Sequence, residues 1–182
     1  MKTAITGGIG SGKSFVCRLL EQRGITIYDC DQAAKRLMRT SDVICRKLTE
    51  LIGPDAYFDG VPNKAAITRY LMASPENAQA INSIVHPAVA DDFEHSQMEW
   101  MECAILYESG FDRLVDRVFV VTAPEEVRID RIMRRDGISR QKAEEWIARQ
   151  WPQEELVRRA GGVIINDGTM PLIPQIDRLL NT

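Results

Sequence analysis

The chain has 182 residues, 45% of them hydrophobic and 27% charged, which is ordinary globular composition and enough for one substantial core plus a small appendage. Its net charge of −3 and sequence pI near 5.5 provide no overall field for gripping nucleic acid or an anionic membrane, so any anion site must be local. No apolar run approaches the roughly 20 residues of a membrane span, the first motif lies too near Met1 for a cleavable leader, and the cytoplasm is the expected compartment.

Four cysteines, Cys17, Cys30, Cys45 and Cys103, lack metal or disulfide-scaffold spacing and read as reduced, structural thiols. Thr3 to Thr6 is a candidate strand that runs directly into Gly7 to Ser14, reading Gly-Gly-Ile-Gly-Ser-Gly-Lys-Ser, and Phe15 to Arg23 behind it looks helical. Gly7, four residues, then Gly12-Lys13-Ser14 is the spacing of a phosphate-binding loop. Glycines let successive N–H groups turn inward to make an anion nest, capped by the positive end of the following helix. Lys13 is placed to reach the outer phosphates as a point charge, and the Ser14 hydroxyl to ligate a magnesium ion that keeps several waters. A bare glycine-rich turn is the alternative, but the constrained positions and both flanks agree on the motif. The loop by itself specifies nucleotide phosphates and not what becomes of them.

Ile25 to Tyr28 reads as a buried parallel strand ending at Asp29-Cys30-Asp31. If the chain stays extended there, Asp29 and Asp31 face the same side, beyond the carboxyl end of a strand where ligands sit in open α/β sheets. Because Gln32 to Arg39 looks helical, one aspartate can serve as its N-cap while the other acts on the reacting group or its metal. Ser41 and Asp42 cap a helix through Ile52, Gly53-Pro54 ends it, and Pro54 to Lys64 reads as a loop or small-domain boundary. Lys64 to Met72 is a further helix, and Ser74-Pro75 starts another that continues through Ala78, Ile81, Val85 and Val89. His86-Pro87 should kink or restart that helix, with His86 a packed residue at the break. His95 reads as solvated, and the two histidines make no metal motif.

Glu102 to Tyr107 is the next strand candidate, delivering Glu108 to a strand end. Arg117 to Thr122 is the clearest strand but carries no terminal aspartate, so metal ligation falls to Ser14 with Asp29 or Asp31. The helix from Glu125 holds Arg128, Arg131, Arg134 and Arg135, and Arg140 follows after Gly137. Arg131 and Arg135 share one helix face and could clamp a transferring phosphate from a mobile lid; the alternative is a solvated basic helix paired to Glu125, Glu126 and Asp130. Trp100, Trp146 and Trp151 read as packing anchors. Helix Gln153 to Arg159, strand Val163 to Ile165, a turn at Asn166-Asp167-Gly168 and helix Ile173 to Leu180 complete the chain. The alternation predicts an α/β fold with a mostly parallel sheet flanked by helices. Residues 1–53, 102–123 and 160–182 form the nucleotide-binding core, 54–101 a helical substrate-binding insertion, and 124–159 an arginine-rich lid region.

Together, Gly7 to Ser14, Asp29-Cys30-Asp31, His86-Pro87, Ile105-Leu106-Tyr107-Glu108, Arg131 to Arg135, Gln150 and Val163-Ile164-Ile165-Asn166 resemble the dephospho-CoA kinase family over nearly the whole chain. The combination and order are specific, since each piece except the loop is weak alone. The resemblance implies a P-loop kinase core with a helical substrate domain and a lid. It also implies ATP-dependent phosphorylation of the ribose 3′-hydroxyl of dephospho-CoA, the last step of coenzyme A biosynthesis. ATP and dephospho-CoA are then the expected partners and Mg2+ the cofactor, with neither nucleic acid nor membrane involved. Asp31 matches the family's second aspartate, its general base.

The expected ATP-binding set is Gly8, Gly10, Ser11, Gly12, Lys13, Ser14 and Phe15, with Ser14 and Asp29 on the metal. Lys13, Asp31, Arg131, Arg135 and Arg140 are the expected catalytic residues, and Asp31, His86 and Glu108 the expected substrate contacts. Ala104 stands where the family usually has proline, and Gly161-Gly162 where it usually has an acidic pair, which bears on strand packing and on how a nucleotide is held. Two other readings remain open at this point. One is a P-loop kinase of another small acceptor, such as a nucleoside or nucleoside monophosphate; the other is a regulatory nucleotide switch. A guanine-specific switch usually carries Asn-Lys-X-Asp after a strand, and Asn63-Lys64-Ala65-Ala66 ends in alanine.

Overall fold

The computed structural model describes residues 1–181. In chain order its elements begin with β1 (Thr3–Thr6), α1 (Lys13–Glu21), β2 (Ile27–Asp29), α2 (Cys30–Thr40), α3 (Asp42–Ile52), β3 (Tyr57–Phe58) and β4 (Val61–Pro62). They continue with α4 (Lys64–Ala73), α5 (Pro75–His95), β5 (Trp100–Glu102), β6 (Arg117–Thr122) and α6 (Glu125–Asp136). Last come α7 (Arg140–Ala148), α8 (Gln153–Arg159), β7 (Gly162–Ile165) and α9 (Leu172–Leu180). The chain packs as two compact units, one made of Met1–Tyr28 with Met98 onward and the other of Asp29–Gln97.

The first unit is built on a five-stranded sheet in the order β2-β5-β1-β6-β7. β1 is parallel to both neighbours, with Thr3 opposite Trp100 on one side and Arg117 on the other, and β7 is parallel to β6. All four residues of β1 are buried, because a central parallel strand is covered on both faces and has no solvent side to alternate toward. Val16, Cys17 and Leu20 of α1 pack with Ile5, Phe119, Val121 and Ile164 of the sheet and with Ile176 and Leu179 of α9. This is the α/β, mostly parallel, helix-flanked architecture that the alternation of elements predicted.

The glycine that opens β7 has a local cause. A Cβ at Gly162 would lie 2.6 Å from Cδ1 and Cε1 of the Phe119 ring, so any side chain there displaces a core aromatic. Gly162→Ala is expected to lower stability by about 1–3 kcal/mol through overpacking. The measurement is a urea midpoint at unchanged m-value, and an unmoved midpoint would mean the ring yields freely. On the outer edge of the same strand the Ile165 N–H donates to Gln175 Oε1 at 2.8 Å, and Gln175 Nε2 donates back to the Ile165 carbonyl at 2.9 Å.

The second unit is helical. α5 packs against α2, α3 and α4, burying Ile81, Val85, Val89 and Phe93. The caps expected at Ser41 and Ser74 form, accepting from the Ile44 and Asn77 N–H groups, and Asn63 adds one that the sequence reading does not name, accepting from Ala66. The loop expected over Pro54 to Lys64 contains a short 3₁₀ turn and the two-residue ribbon β3–β4. The unit begins at Asp29, so α2 and α3 pack with the helices of residues 54–97.

Three local expectations are corrected. The chain does not stay extended through Asp29-Cys30-Asp31, because α2 starts at Cys30 with Asp29 as its N-cap, which ends the alternation that would have put both carboxylates on one face. α5 runs unbroken from Pro75 to His95 with Pro87 inside it; packing of its apolar face outweighs the one backbone bond that proline forfeits. Strand β5 covers Trp100–Glu102 and not Glu102 to Tyr107. The residues after it turn, with Ser109 N–H bonded to Ile105 O and Phe111 N–H to Leu106 O, which buries Leu106 and leaves Ile105 at the surface. Glu108 therefore does not lie at a strand end.

Candidate active site

The segment between β1 and α1 is a cradle whose shape is set by its neighbours. Gly12 occupies φ +90° as the N-cap of α1, and no side chain caps that helix end, which leaves its positive pole open to an anion. Successive carbonyls are drawn outward by side chains of the first unit. Arg128 Nε donates to Ile9 O at 2.9 Å, and Arg131 Nη1 to Gly10 O and Ser11 O at 3.3 Å each. Asn166 Nδ2 donates to Ser11 O at 2.8 Å. Turning these oxygens away is what directs amides such as those at the first turn of α1 inward, as an anion nest requires.

The packing is tight enough to dictate glycine. A Cβ at Gly12 would meet Asn166 Nδ2 at 2.1 Å, and one at Gly7 the Val121 carbonyl at 2.2 Å.

Lys13 and Ser14 open α1 beside a carboxylate from the adjacent strand. The Ser14 hydroxyl donates to Glu102 Oε1 at 2.7 Å, where β5 ends. Burial holds the Lys13 ammonium below the usual lysine range, opposed chiefly by the charge of Glu102. Burial, with Glu102 next, pushes the neighbouring Cys17 thiol far above its ordinary value, so Cys17 is an inert packing residue. Glu102 thus faces both functional side chains of the loop. A carboxylate beside a hydroxyl at a phosphate cradle is the donor set magnesium takes, with phosphate oxygens and water as its remaining ligands.

A model of the dephospho-CoA kinase family matches residues 1–171. Dephospho-CoA kinase of Bacteroides fragilis is 42% identical over 191 residues, spanning 99% of this chain and 91% of that protein. The chain belongs to the dephospho-CoA kinase family. A crystal structure of a Thermus thermophilus protein, 32% identical, superposes with a TM-score of 0.83 over 100% of this chain and 94% of that one. Dephospho-CoA kinase from Campylobacter jejuni, 20% identical, shares the fold with a TM-score of 0.70 over 98% of each chain.

Among the residues expected to act in a dephospho-CoA kinase, the structure gathers Gly8, Gly10, Ser11, Gly12, Lys13 and Ser14 into the cradle, with Arg131 against its carbonyls. Phe15 follows on α1, half exposed, with the Arg18 guanidinium 5.7 Å from its ring centre. Arg135 and Arg140 are directed elsewhere: Arg135 pairs with Asp136 at 2.7 Å, and Arg140 with Glu126 at 2.6 Å and Glu144 at 2.8 Å. Glu108 accepts the Trp151 N–H at 3.3 Å, in a turn where Trp151 stacks on Tyr107 under the Arg159 guanidinium. In the second unit, Asp29 accepts the Gln32 N–H at 2.9 Å and Asp31 accepts Lys35 Nζ at 2.5 Å. His86 lies half-buried on α5, where burial lowers its imidazole pKa.

Four members of the site escape a reading of spacing alone. The apolar run after Glu102 hides it, whereas a strand beginning at Trp100 brings it to the carboxyl end. Arg128, Gln150 and Asn166 each bond to loop backbone, a role no residue pattern announces.

Proposed function

We propose that this protein transfers the γ-phosphate of ATP to the ribose 3′-hydroxyl of dephospho-CoA, yielding coenzyme A and ADP. Family membership supports the acceptor. The observation that carries the transfer chemistry is the cradle at the uncapped start of α1, with Lys13 and Ser14 at its mouth and Glu102 beside them. Phosphoryl transfer proceeds through a loose transition state in which positioning and charge neutralisation supply most of the acceleration. Loop amides and Lys13 hold the triphosphate. Asp31, in the first turn of α2, orients the acceptor hydroxyl and takes its proton late. The helical second unit, with His86, holds the acceptor, and α6–α7 form the lid. Arg131 flanks the phosphates, while Arg135 and Arg140 reach them by leaving exposed ion pairs that hold weakly against solvent.

The chemistry a magnesium ion would supply in this cradle is positive charge against the phosphate oxygens. Ser14, and Asp29 at the end of β2, are the holders expected from sequence, and Glu102 joins them because it already accepts the Ser14 hydroxyl. Glu102→Gln keeps an acceptor for Ser14 but removes the charge. The magnesium concentration for half-maximal rate is expected to rise about 10- to 100-fold, and an unchanged magnesium titration would take Glu102 out of the metal's surroundings.

Product analysis tests the whole reading. With ATP, magnesium and dephospho-CoA the mass of coenzyme A should appear, and in a parallel panel nucleosides and nucleoside monophosphates should stay unmodified. Phosphorylation of a panel member in preference to dephospho-CoA would reassign the acceptor, and hydrolysis alone would overturn the reading.

A further inference from the structure

Ile9, at the tip of the phosphate loop, is held in three ways by α6, α7 and the turn after α7. Its N–H donates to Gln150 Oε1 at 2.6 Å, its carbonyl accepts from Arg128 Nε at 2.9 Å, and its side chain packs against Ile129, Ile132 and Ala143. The flanking glycines fit flush around the same arginine. A Cβ at Gly8 would lie 2.4 Å from Arg128 Nη2, and one at Gly10 would lie 2.6 Å from the Arg128 carbonyl oxygen. Arg128 is 4% exposed, with its Nε turned onto backbone, so it is not a phosphate clamp like its neighbours on α6.

We propose that Arg128 and Gln150 are positioning residues that clasp the backbone of Ile9, fastening the tip of the phosphate loop to the α6–α7 pair so that both hold one geometry around the triphosphate. A loop shaped by glycine is free to collapse into other turns, since glycine loses more conformational entropy on ordering than any other residue. Two directed hydrogen bonds at its middle residue select the open nest before the nucleotide arrives, and a cradle already in shape binds phosphate without ordering the loop first. The same bonds make the seat of the lid part of the phosphate site. Displacing α6–α7 as a pair would drag Ile9 with it.

The proposal rests on the loop serving as the triphosphate cradle of the reading above, and its test does not depend on the acceptor. Inorganic tripolyphosphate is titrated calorimetrically into the wild type, Arg128→Met and Gln150→Met, and amide hydrogen exchange is followed at residues 8–12. Triphosphate affinity is expected to fall about tenfold in each variant, the order of one directed bond to a partly buried peptide. Exchange should quicken in the loop while β6 and α9 stay protected. KM for ATP should rise by a similar factor with KM for dephospho-CoA unchanged. Gln150→Glu, which keeps an acceptor oxygen, should restore slow exchange at Ile9. Wild-type triphosphate affinity in both variants, or exchange that quickens throughout the first unit, would overturn the clasp. Should Arg128→Met fail to fold, Gln150→Met decides alone, since its residue lies in a half-buried turn. If the wild type phosphorylates no acceptor, the kinase reading falls while triphosphate binding and exchange still judge the clasp.

Discussion

Lys13→Ala is expected to lower phosphoryl transfer on the order of 10³-fold, the scale seen when one preorganised charge or donor is taken from a transition state. Its ammonium is the first side chain of α1 and sits where burial makes its charged form costly, with Glu102 as the main compensation. A cation in such a place gains most when an anion arrives, and the triphosphate supplies several negative oxygens there. The sign of a pH effect follows. Free Lys13 loses its proton below the ordinary lysine range, and bound triphosphate favours the charged form, so ATP affinity should fall as pH rises through the depressed pKa. Lys13→Ala should abolish that dependence along with the rate. A thermal melt separates the lost phosphate charge from any lost stability, because the variant also leaves the Glu102 charge without its lysine. Steady-state turnover, an ATP affinity series against pH and a thermal melt provide the three readouts. Retained turnover would end the assignment of the loop.

Asp31→Asn is expected to lower turnover by about 10²- to 10⁴-fold with KM for ATP unchanged, the range of a positioned acid–base group. The two aspartates are held differently at the start of α2. Asp29 spends one carboxylate oxygen capping the helix through the Gln32 N–H, whereas Asp31 is well exposed and meets only the flexible Lys35 ammonium. A side chain held that loosely can turn to an acceptor hydroxyl, and asparagine keeps its shape while losing the ability to take a proton. Asp29→Asn should retain the cap, since asparagine is an equally good N-cap, so any loss of rate there reports on metal and not on the helix. Near-normal turnover in Asp31→Asn would remove Asp31 from the mechanism.

How far the site can be read from sequence depends on whether a residue acts through local spacing or across the fold. The phosphate loop is written in consecutive residues, since a nest needs glycines, a lysine and a hydroxyl at fixed offsets, and Gly7 to Ser14 have them. Helix starts at Ser41 and Ser74 are equally legible, because a cap acts within three residues, while the Asn63 cap emerges only in the structure. Glu102 is not legible, because Ala104 to Tyr107 has the apolar run of a strand and draws the assignment away from the shorter Trp100–Glu102. The arginines of α6 were legible as a cluster and illegible as individuals. Spacing placed Arg131 and Arg135 on one face, but the contacts send Arg131 to loop carbonyls and Arg135 to Asp136. Arg128 and Gln150 meet Ile9 across more than a hundred residues of chain, and only tertiary packing brings them there.

The Gln175 carboxamide bears on how these molecules behave in a crowd. An outermost strand ordinarily offers a bare row of peptide groups to which another chain can add itself, the first step toward aggregation. At Ile165 both groups are already engaged by a side chain from α9, which imitates one residue of a further strand without supplying a surface that could propagate. An intruder would first have to evict that amide and expose α9 as well. The sheet is therefore terminated chemically on this margin, and the short run of Gly162–Ile165 leaves little else to template upon.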